Sequence, residues 1–254
     1  MSQNDQNFDQ RVAEAVDDSL TVSEVDLLNR VDYNLKYISY VPKHPPVNRS
    51  RKRTPWPIDW LRYEKCGEMI EFDNLAILPI KSPVENDETN QWLKNEGLSA
   101  EVFTWENVVA SIQNTDLKID TVIDLTAVRQ DHEKYYQGSS LLSRYSINYY
   151  KVKSQGGGRL PTEESVDEFC AIISKIKQND IQKPIVVVHC THGLNRTGYF
   201  IIQYLIKHEG YDAVSALSLF EKKRGHVMKH KHIRRYLLGL DPGRDLVTSK
   251  SYKK

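Results

Sequence analysis

The chain has 254 residues, of which 39% are apolar and 27% are charged, so it can bury one good core and we expect one domain with extensions. The N-terminus MSQNDQNFDQ has no signal-peptide character and no apolar run approaches the roughly 20 residues that span a bilayer, so we expect an intracellular protein without a membrane segment. The three cysteines, Cys66, Cys170 and Cys190, have neither disulfide-framework nor zinc-ligand spacing, which predicts a reducing compartment.

The formal net charge of +1 conceals an uneven distribution of charge. Residues 1–30 hold seven acidic and two basic side chains, whereas residues 221–254 hold eleven lysines or arginines and three acids. A basic face of this kind attracts a polyanion, although a solvated surface without a partner gives the same pattern. Charge alone therefore leaves both interpretations open.

Residues 1–55 are predicted to form a mobile polar and basic extension. Residues 1–40 are rich in Asp, Asn, Gln and Ser, and the segment 41–57 combines several prolines with a basic run from Arg49 to Arg53. The run is typical of a nuclear-entry signal, an RNA contact or a plain solvated linker. The extension is also where we expect any RNA-processing protein partner to bind.

The globular part is predicted to span residues 56–240, followed by a frayed tail over 241–254. Pro79 indicates that the first predicted strand lies at the edge of a sheet. Apolar runs predict strands at 75–80, 121–125, 145–152 and 184–190. Helical spacing and caps predict helices from Thr104, from Thr162, and over 196–208, 212–223 and 229–239. Because strands alternate with helices, we expect an α/β fold with a central mixed, mostly parallel sheet flanked by helices.

The segment VVVHCTHGLNRTG, residues 186–198, places a cysteine between a β-branched run and a helix that an arginine opens. A tight loop of this kind turns its backbone N–H groups inward, so that an oxyanion can lie among them at the positive end of the helix. Arg196 can bind two phosphoryl oxygens, and the same positive field lowers the pKa of the Cys190 thiol. Cys190 is therefore a candidate nucleophile for phosphorus. A buried cysteine before an ordinary turn is the structural alternative, and the setting with Gly193 and Thr197 favours the active arrangement.

The sequence HCTHGLNRTGY, with the downstream FEKKRGH, resembles the RNA 5′-phosphatases of the cysteine-dependent phosphatase superfamily. These are the triphosphatase domains of animal-type mRNA capping enzymes and their free-standing relatives, classed as atypical dual-specificity phosphatases. The resemblance covers about residues 56–240, with weaker matches at 124–126 and 148–152. It implies a cysteine-phosphatase fold, no cofactor or metal, RNA 5′ ends as substrate, and a monomer in the nucleus or cytoplasm, with the nucleus favoured. No nucleotidyltransferase motif is visible, so a complete capping enzyme is not expected.

The residues and the resemblance agree on a two-step mechanism. Cys190 attacks the terminal phosphorus in line, a cysteinyl-phosphate forms and water hydrolyses it, while Arg196 and the loop N–H groups stabilise the equatorial oxygens. Thr197 is expected to hydrogen-bond the departing thiolate, and His189 is expected to tune the environment of the thiol. The residues expected to bind substrate are His189, Thr191, His192, Gly193, Leu194, Asn195, Lys153, Arg159, Arg224 and His226.

Two groups of basic residues carry the expected contacts outside the loop. The family's glycine loop often has a lysine and a histidine where this chain has Gln155, Gly157 and Arg159, so Lys153 and Arg159 are expected to bind phosphate instead. The second group follows the catalytic loop and is expected to bind a nucleic-acid backbone, with an affinity that falls as salt rises. It comprises Lys222, Lys223, Arg224, Lys229, Arg234 and Arg235.

The chain has no Trp-Pro-Asp or comparable acid loop. A phenol leaving group, with a pKa of about 10, must usually be protonated as it departs, whereas a phosphate with a second pKa of about 6 needs little help. Asp124 and Asp131 are the candidate acids, and Asp124 is interpreted as a strand end that caps locally. The sequence therefore favours cleavage of a phosphoric anhydride, and the resemblance implies removal of the γ-phosphate, and of the β-phosphate as well, from 5′-triphosphorylated RNA. The alternatives are a dual-specificity protein or small-molecule phosphatase and, in another class, a non-catalytic RNA- or protein-binding module.

Cys190→Ser tests the role of the nucleophile. The variant should fold normally and lose turnover, because a serine hydroxyl does not ionise in the loop as a thiol does. Steady-state turnover, measured beside a thermal melt of both proteins, checks this. Activity within about tenfold of the parent would remove Cys190 from that role.

Overall fold

A five-stranded sheet organises the part of the chain that the computed structural model describes, which comprises residues 58–112, 117–127, 135–178 and 183–240. The predicted extension 1–55 and tail 241–254 lie outside these ranges. The strands are β1 Ile70–Glu71, β2 Ala76–Lys81, β3 Ile119–Asp124, β4 Asn148–Lys151 and β5 Ile185–Cys190. Their spatial order is β1-β2-β5-β3-β4. β1 runs antiparallel to β2 and the other neighbours are parallel, which confirms the predicted mixed, mostly parallel sheet.

Helices flank this sheet. In the described ranges they are α1 Asp87–Asn95, α2 Trp105–Ala110, α3 Ser140–Tyr145, α4 Glu163–Lys177, α5 Asn195–His208, α6 Ala213–Arg224 and α7 Lys231–Leu237. The structure has α2 and α4 to α7 close to where the sequence predicts helices. The Thr162 cap is present, since its side chain accepts a hydrogen bond from the Ser165 N–H at 3.3 Å. None of the helices in these ranges is long and apolar enough to span a membrane.

β5 is the central strand of the sheet, and both of its faces are buried. Ile185 to Val188 are 0% exposed, as expected for a parallel strand that is covered on either side. β2 and β3 pair with β5, and the register places Lys81 opposite Cys190 and Asp124 opposite His189. β5 therefore delivers Cys190 to the middle of the carboxyl edge, where α/β folds bind their ligands.

The prediction that the strand containing Pro79 lies at the sheet edge is wrong. β1 pairs outside it, along Ala76 and Ile77. Proline is tolerated there because its nitrogen lies on the same side of β2 as its carbonyl, which accepts from the Gly67 N–H at 2.8 Å, so the missing N–H costs no bond to β5, and β1 covers only the start of β2 on that side.

Two helices are absent from the sequence prediction, namely α1 and α3. α1 buries Thr89 and Leu93 and α3 buries Leu141, so neither has the continuous apolar stripe that the sequence analysis relies on. The strand predicted at 145–152 is shorter than expected, because α3 ends at Ser146 in a left-handed conformation (φ 57°) before β4 begins.

The backbone of the loop after β5 comes close to the end of β2 at Gly193. The φ of Gly193 is +67°, and a Cβ added there would lie 2.2 Å from the Ile80 carbonyl oxygen. The contact is with backbone, which cannot move aside cheaply. Only glycine therefore fits this position.

Gly193→Ala should distort the loop and abolish turnover. Gly97 is the matched control, because its φ is +73° and nothing lies within 4 Å of an added Cβ. Both variants carry the dihedral strain of alanine, about 1–2 kcal/mol, but only Gly193→Ala adds the collision. We expect it to lower the free energy of unfolding by about 1–3 kcal/mol more than Gly97→Ala does, measured by urea unfolding. Equal losses and retained turnover would show that the loop has room.

Candidate active site

The catalytic loop, residues 190–196, joins the end of β5 to the start of α5. α5 is 14 residues long, so its first turn carries the positive end of a helix dipole. Leu194 is its N-cap residue, is 1% exposed, and makes no side-chain cap hydrogen bond. The first N–H groups of the helix are thus available to the thiol and to an anion in the loop.

Opposing effects act on the Cys190 thiol. Burial raises its pKa, whereas the Arg196 guanidinium, the hydroxyl and N–H of Thr197, and the Leu194 N–H lower it, and the resulting pKa lies below the ordinary value. Thr197 is 0% exposed, and its Oγ1 has no other hydrogen-bond partner among the described residues. The site therefore favours the thiolate, which is the nucleophilic form.

Arg196 is held by the end of the neighbouring strand. Its Nη1 donates a hydrogen bond to the Leu125 carbonyl, directly after β3, at 2.7 Å. Fixing one nitrogen in this way preorganises the planar fork that binds phosphoryl oxygens. The structure thus brings Cys190, Arg196 and Thr197 together as the sequence predicts.

His189 supports the site from inside the sheet. The ring is 0% exposed, and its Nε2 lies 2.6 Å from the Tyr136 hydroxyl and 3.9 Å from Asp124 Oδ1. Burial lowers the pKa of His189 to about 4, although the Asp124 carboxylate opposes this, so the ring is neutral at neutral pH. The prediction that His189 contacts the substrate does not agree with this burial. The ring instead packs behind the thiol, where it helps to position Cys190.

Asp124 is locked in an ionised state. Burial raises its pKa, but His189, Lys151 and the Thr126 N–H together hold it at about 2. Its Oδ1 accepts from the Thr126 N–H at 2.7 Å, and its Oδ2 accepts from the Tyr149 hydroxyl and lies 2.9 Å from Lys151 Nζ. A carboxylate held in this way has no proton to give to a leaving group, which agrees with its interpretation as a local cap. The other candidate acid, Asp131, lies outside the described residues.

Lys151 is a site residue that sequence reasoning missed. Register places it opposite Asp124 on the neighbouring strand, and its Nζ also donates to the Thr126 carbonyl at 2.7 Å. Burial lowers the pKa of Lys151, Asp124 opposes this, and the charges of Arg196 and Cys190 also act on it. Its signal in the sequence is a lysine near the end of a predicted strand, within one of the weaker family matches.

The side chains of other loop residues predicted to bind substrate contact protein groups. Asn195 Oδ1 accepts from the His230 N–H at 2.9 Å, which ties the loop to the start of α7. The His192 ring packs edge-on against Tyr63, with 5.6 Å between ring centroids. Thr191 is 8% exposed, and its Oγ1 lies 3.4 Å from the Tyr135 hydroxyl. Asn195 and His192 therefore shape the loop from outside.

Arg224 and His226 are buried, at 1% and 7% exposure, so the prediction that they bind substrate does not agree with the structure. Arg224 Nε donates to the Gly193 carbonyl at 3.0 Å, and its Nη2 donates to the Glu64 carbonyl at 2.8 Å. His226 Nε2 accepts from the Glu64 N–H at 3.0 Å. Arg224 thus holds the catalytic loop to the segment before β1, and His226 holds the turn after α6 to the same segment.

The predicted basic face after the loop is largely neutralised. Lys223 pairs with Glu68 at 3.1 Å, Lys229 with Asp59 at 3.0 Å, and the buried Arg234 with Glu221 at 3.1 Å. Three of the six residues expected to bind a nucleic-acid backbone thus pair with acidic side chains and a fourth, Arg224, is buried, whereas contact with a nucleic acid stays a prediction.

Lys153 and Arg159 do lie together, as predicted for phosphate binders. Both are exposed and line a cavity of about 430 Å³ at the start of α4. Arg159 Nη1 donates to Gln155 Oε1 at 3.1 Å. Ala127 lines the cavity two residues after Leu125, whose carbonyl anchors Arg196. The cavity thus connects with the segment that positions the catalytic arginine.

A family model described as dual specificity phosphatase, catalytic domain, matches residues 102–240, which include the whole catalytic loop. The chain belongs to this family. A protein tyrosine phosphatase structure from Leishmania major has the same fold, with a TM-score of 0.50 and 14% identity over 69% of this chain and 98% of that one. The cysteine-phosphatase fold is thereby confirmed.

The curated relatives agree with the predicted branch. An RNA/RNP complex-1-interacting phosphatase homolog of Caenorhabditis elegans is 30% identical over 185 residues, which are 71% of this chain and 74% of that protein. A tyrosine-protein phosphatase of Autographa californica nuclear polyhedrosis virus is 35% identical over 179 residues, 70% of this chain and 95% of that protein. An mRNA-capping enzyme of Caenorhabditis elegans is 30% identical over 198 residues, 77% of this chain and 29% of that protein. The predicted resemblance is confirmed at this level, and the protein is a phosphatase of the cysteine-dependent superfamily.

Asp124→Asn should destabilise the protein at neutral pH and less so in acid. The folded-state pKa of about 2 lies below the ordinary value of 3.8, so the carboxylate stabilises the fold above about pH 4 and this contribution is lost as the pH falls towards 2. We expect a loss of about 2 kcal/mol in the free energy of unfolding at pH 7 and about half of that at pH 3, measured by urea unfolding. Asp120→Asn, at a half-buried position on the same strand, is the control. A loss for Asp124→Asn that does not change between pH 7 and pH 3 would contradict the pairing.

Proposed function

We propose that the protein is an RNA 5′-polyphosphatase that removes the γ-phosphate and then the β-phosphate from 5′-triphosphorylated RNA. The observation that carries this proposal is the state of Asp124, which is ion-paired with Lys151 at 2.9 Å and has a pKa of about 2. Of the two candidate acids, the one in the described residues thus has no proton to give, which favours a leaving group that needs none. A phosphate meets that condition better than a phenol or an alkoxide does.

The reaction has two displacements at phosphorus. The Cys190 thiolate attacks the terminal phosphorus, a sulfur–phosphorus bond forms, and the bond to the bridging oxygen breaks with its electron pair on the departing chain. Water then attacks the cysteinyl-phosphate, giving inorganic phosphate and returning the thiolate. Arg196 and the loop N–H groups stabilise the equatorial oxygens in both steps, and the Thr197 hydroxyl stabilises the departing thiolate.

The cavity lined by Lys153 and Arg159 gives the remaining phosphates a place outside the loop. Its two cations are exposed, and it borders the segment that anchors Arg196. Because Lys223, Lys229 and Arg234 pair with acidic side chains and Arg224 is buried, we assign recognition of the 5′ end to this cavity. A role for residues 1–55 in binding RNA-processing partners and a nuclear location stay predictions.

The names of the relatives support two candidate functions. The RNA/RNP complex-1-interacting phosphatase homolog and the mRNA-capping enzyme favour an RNA substrate. The viral relative is named a tyrosine-protein phosphatase, which favours the second candidate, a dual-specificity protein phosphatase. The two candidates share the nucleophile and differ in the leaving group.

A comparison of three substrates tests the proposal. We expect kcat/KM on 5′-triphosphorylated RNA to exceed that on a phosphotyrosine peptide and on a free nucleoside triphosphate, with the preference over nucleotide falling as salt rises. RNA labelled at the γ- and β-phosphates, resolved after the reaction, shows how many phosphates are removed. The double variant Lys153→Met, Arg159→Met should raise KM on RNA by at least about tenfold, because two phosphate-binding cations are lost.

The control is Lys175→Met, which removes an exposed cation near the far end of α4. It should leave all three kcat/KM values unchanged. A peptide that is preferred over RNA would reject the RNA proposal in favour of the protein phosphatase. A double variant that behaves like Lys175→Met would remove the cavity from substrate binding.

A further inference from the structure

The side chain of Arg224, the last residue of α6, donates hydrogen bonds to backbone carbonyl groups of the catalytic loop. Its side chain is 1% exposed, with Nε 3.0 Å from the Gly193 carbonyl oxygen and Nη2 3.2 Å from the His192 carbonyl oxygen. Nη2 also donates to the Glu64 carbonyl at 2.8 Å. One guanidinium thus joins two consecutive peptide groups of the loop to the segment before β1.

These contacts also fix the direction in which the N–H groups of the loop point. In a planar trans peptide the N–H points opposite to the C=O of the preceding residue. With the His192 and Gly193 carbonyls directed to Arg224, the N–H groups of Gly193 and Leu194 point to the other side of the loop. The Leu194 N–H is one of the groups that lower the pKa of Cys190, so that side is the one facing the thiol.

We propose that Arg224 is a positioning residue that presets the Gly193 and Leu194 N–H groups towards the thiolate and the transferred phosphoryl group. The assignment rests on the cysteine-phosphatase chemistry of the loop and is independent of RNA as the substrate. It differs from the sequence prediction, in which Arg224 contacts the substrate directly.

The surroundings of Arg224 keep it charged. Burial lowers its pKa to about 10, whereas Cys66, Cys190, Glu64 and Tyr63 oppose this, so it is a cation at neutral pH. Lys81 on β2 lies in the same region, and burial together with the charge of Arg224 lowers the pKa of Lys81 to about 7. A buried guanidinium has a large desolvation penalty, and here carbonyl oxygens and the charge of the thiolate offset it. Arg224 is thus coupled to Cys190 by charge as well as by loop geometry.

Lysine cannot replace this arrangement. It would keep the charge but offers one nitrogen, whereas Arg224 uses two nitrogens to reach three carbonyls. The pair Arg224→Met and Arg224→Lys therefore separates the loss of charge from the loss of geometry. Arg144→Met is the control, because it makes the same change at an arginine of α3 that pairs with Glu85.

The test uses the full chain and three measurements. Hydrolysis of p-nitrophenyl phosphate gives kcat and KM, inhibition by inorganic phosphate reports anion binding in the loop, and iodoacetamide alkylation against pH reports ionisation of Cys190. Thermal melts set a temperature at which every variant is folded. The alkylation curve also depends on Arg196, Lys151 and His189, which are unchanged in all variants.

For Arg224→Met we expect kcat/KM to fall by at least about 100-fold, as for loss of an oxyanion donor. The inhibition constant for phosphate should rise at least about tenfold, and the alkylation midpoint should move to higher pH. Arg224→Lys should keep the midpoint near that of the parent and still lose at least about tenfold in kcat. Arg144→Met should stay within about threefold of the parent in all three measurements.

A folded Arg224→Met protein with parental kcat/KM and alkylation midpoint would overturn the proposal. If that variant does not fold, Arg224→Lys decides, because full kcat with lysine would show that the geometry of the guanidinium is not needed. Failure of the parent to hydrolyse RNA would reject the proposed function only, since p-nitrophenyl phosphate, inorganic phosphate and iodoacetamide test Arg224 without RNA.

Discussion

The site depends on stabilising a thiolate at a position that is almost closed to solvent. Cys190 is 4% exposed, and burial alone would keep its thiol protonated. The Arg196 guanidinium and the N–H groups at the start of α5 outweigh that effect because they lie close to the sulfur and are fixed there. The close approach of Gly193 to β2 and the anchoring of Arg196 on Leu125 are ways of fixing them. The same preorganised charge then serves the transition state, so substrate binding requires little rearrangement.

A second set of charges lies beside the loop and is neutral overall. Asp124 and Lys151 form an ion pair at 2.9 Å. The uncharged His189 is opposite Asp124 in the sheet register and directly precedes Cys190 on β5. A general acid must hold a proton at neutral pH to give it to a leaving group. The partners of Asp124 hold it ionised instead, and the site keeps strong electrostatic stabilisation without acid catalysis from this residue. That combination suits cleavage of an anhydride, in which the leaving group carries its own negative charge.

The sequence predicted the elements whose signal is local. The β-branched run before Cys190, the Thr162 cap and the apolar spacing of α4 are properties of neighbouring residues, and the corresponding elements are where they were expected. The prediction was wrong where distant segments meet. The burial of Arg224 depends on Glu64, which is 160 residues away, and a basic run does not reveal which of its members pack inward. The role of Lys151 likewise depends on the register of β3 with β4, which no local pattern specifies.

The support of the catalytic loop also extends beyond the family match, which begins at residue 102. Lys81 Nζ, at the end of β2, donates to the carbonyls of Trp60 and Tyr63 and lies 3.6 Å from the centre of the Trp60 ring. Lys81 is opposite Cys190 in the sheet register, while Arg224 reaches the same segment from the other side through Glu64. The side chains of Lys81 and Arg224 thus share the carbonyls of residues 60–64, and a buried polar group left without such acceptors is destabilising. The geometry of the catalytic loop therefore depends on the segment before β1 as well as on β5 and α5, which the loop connects.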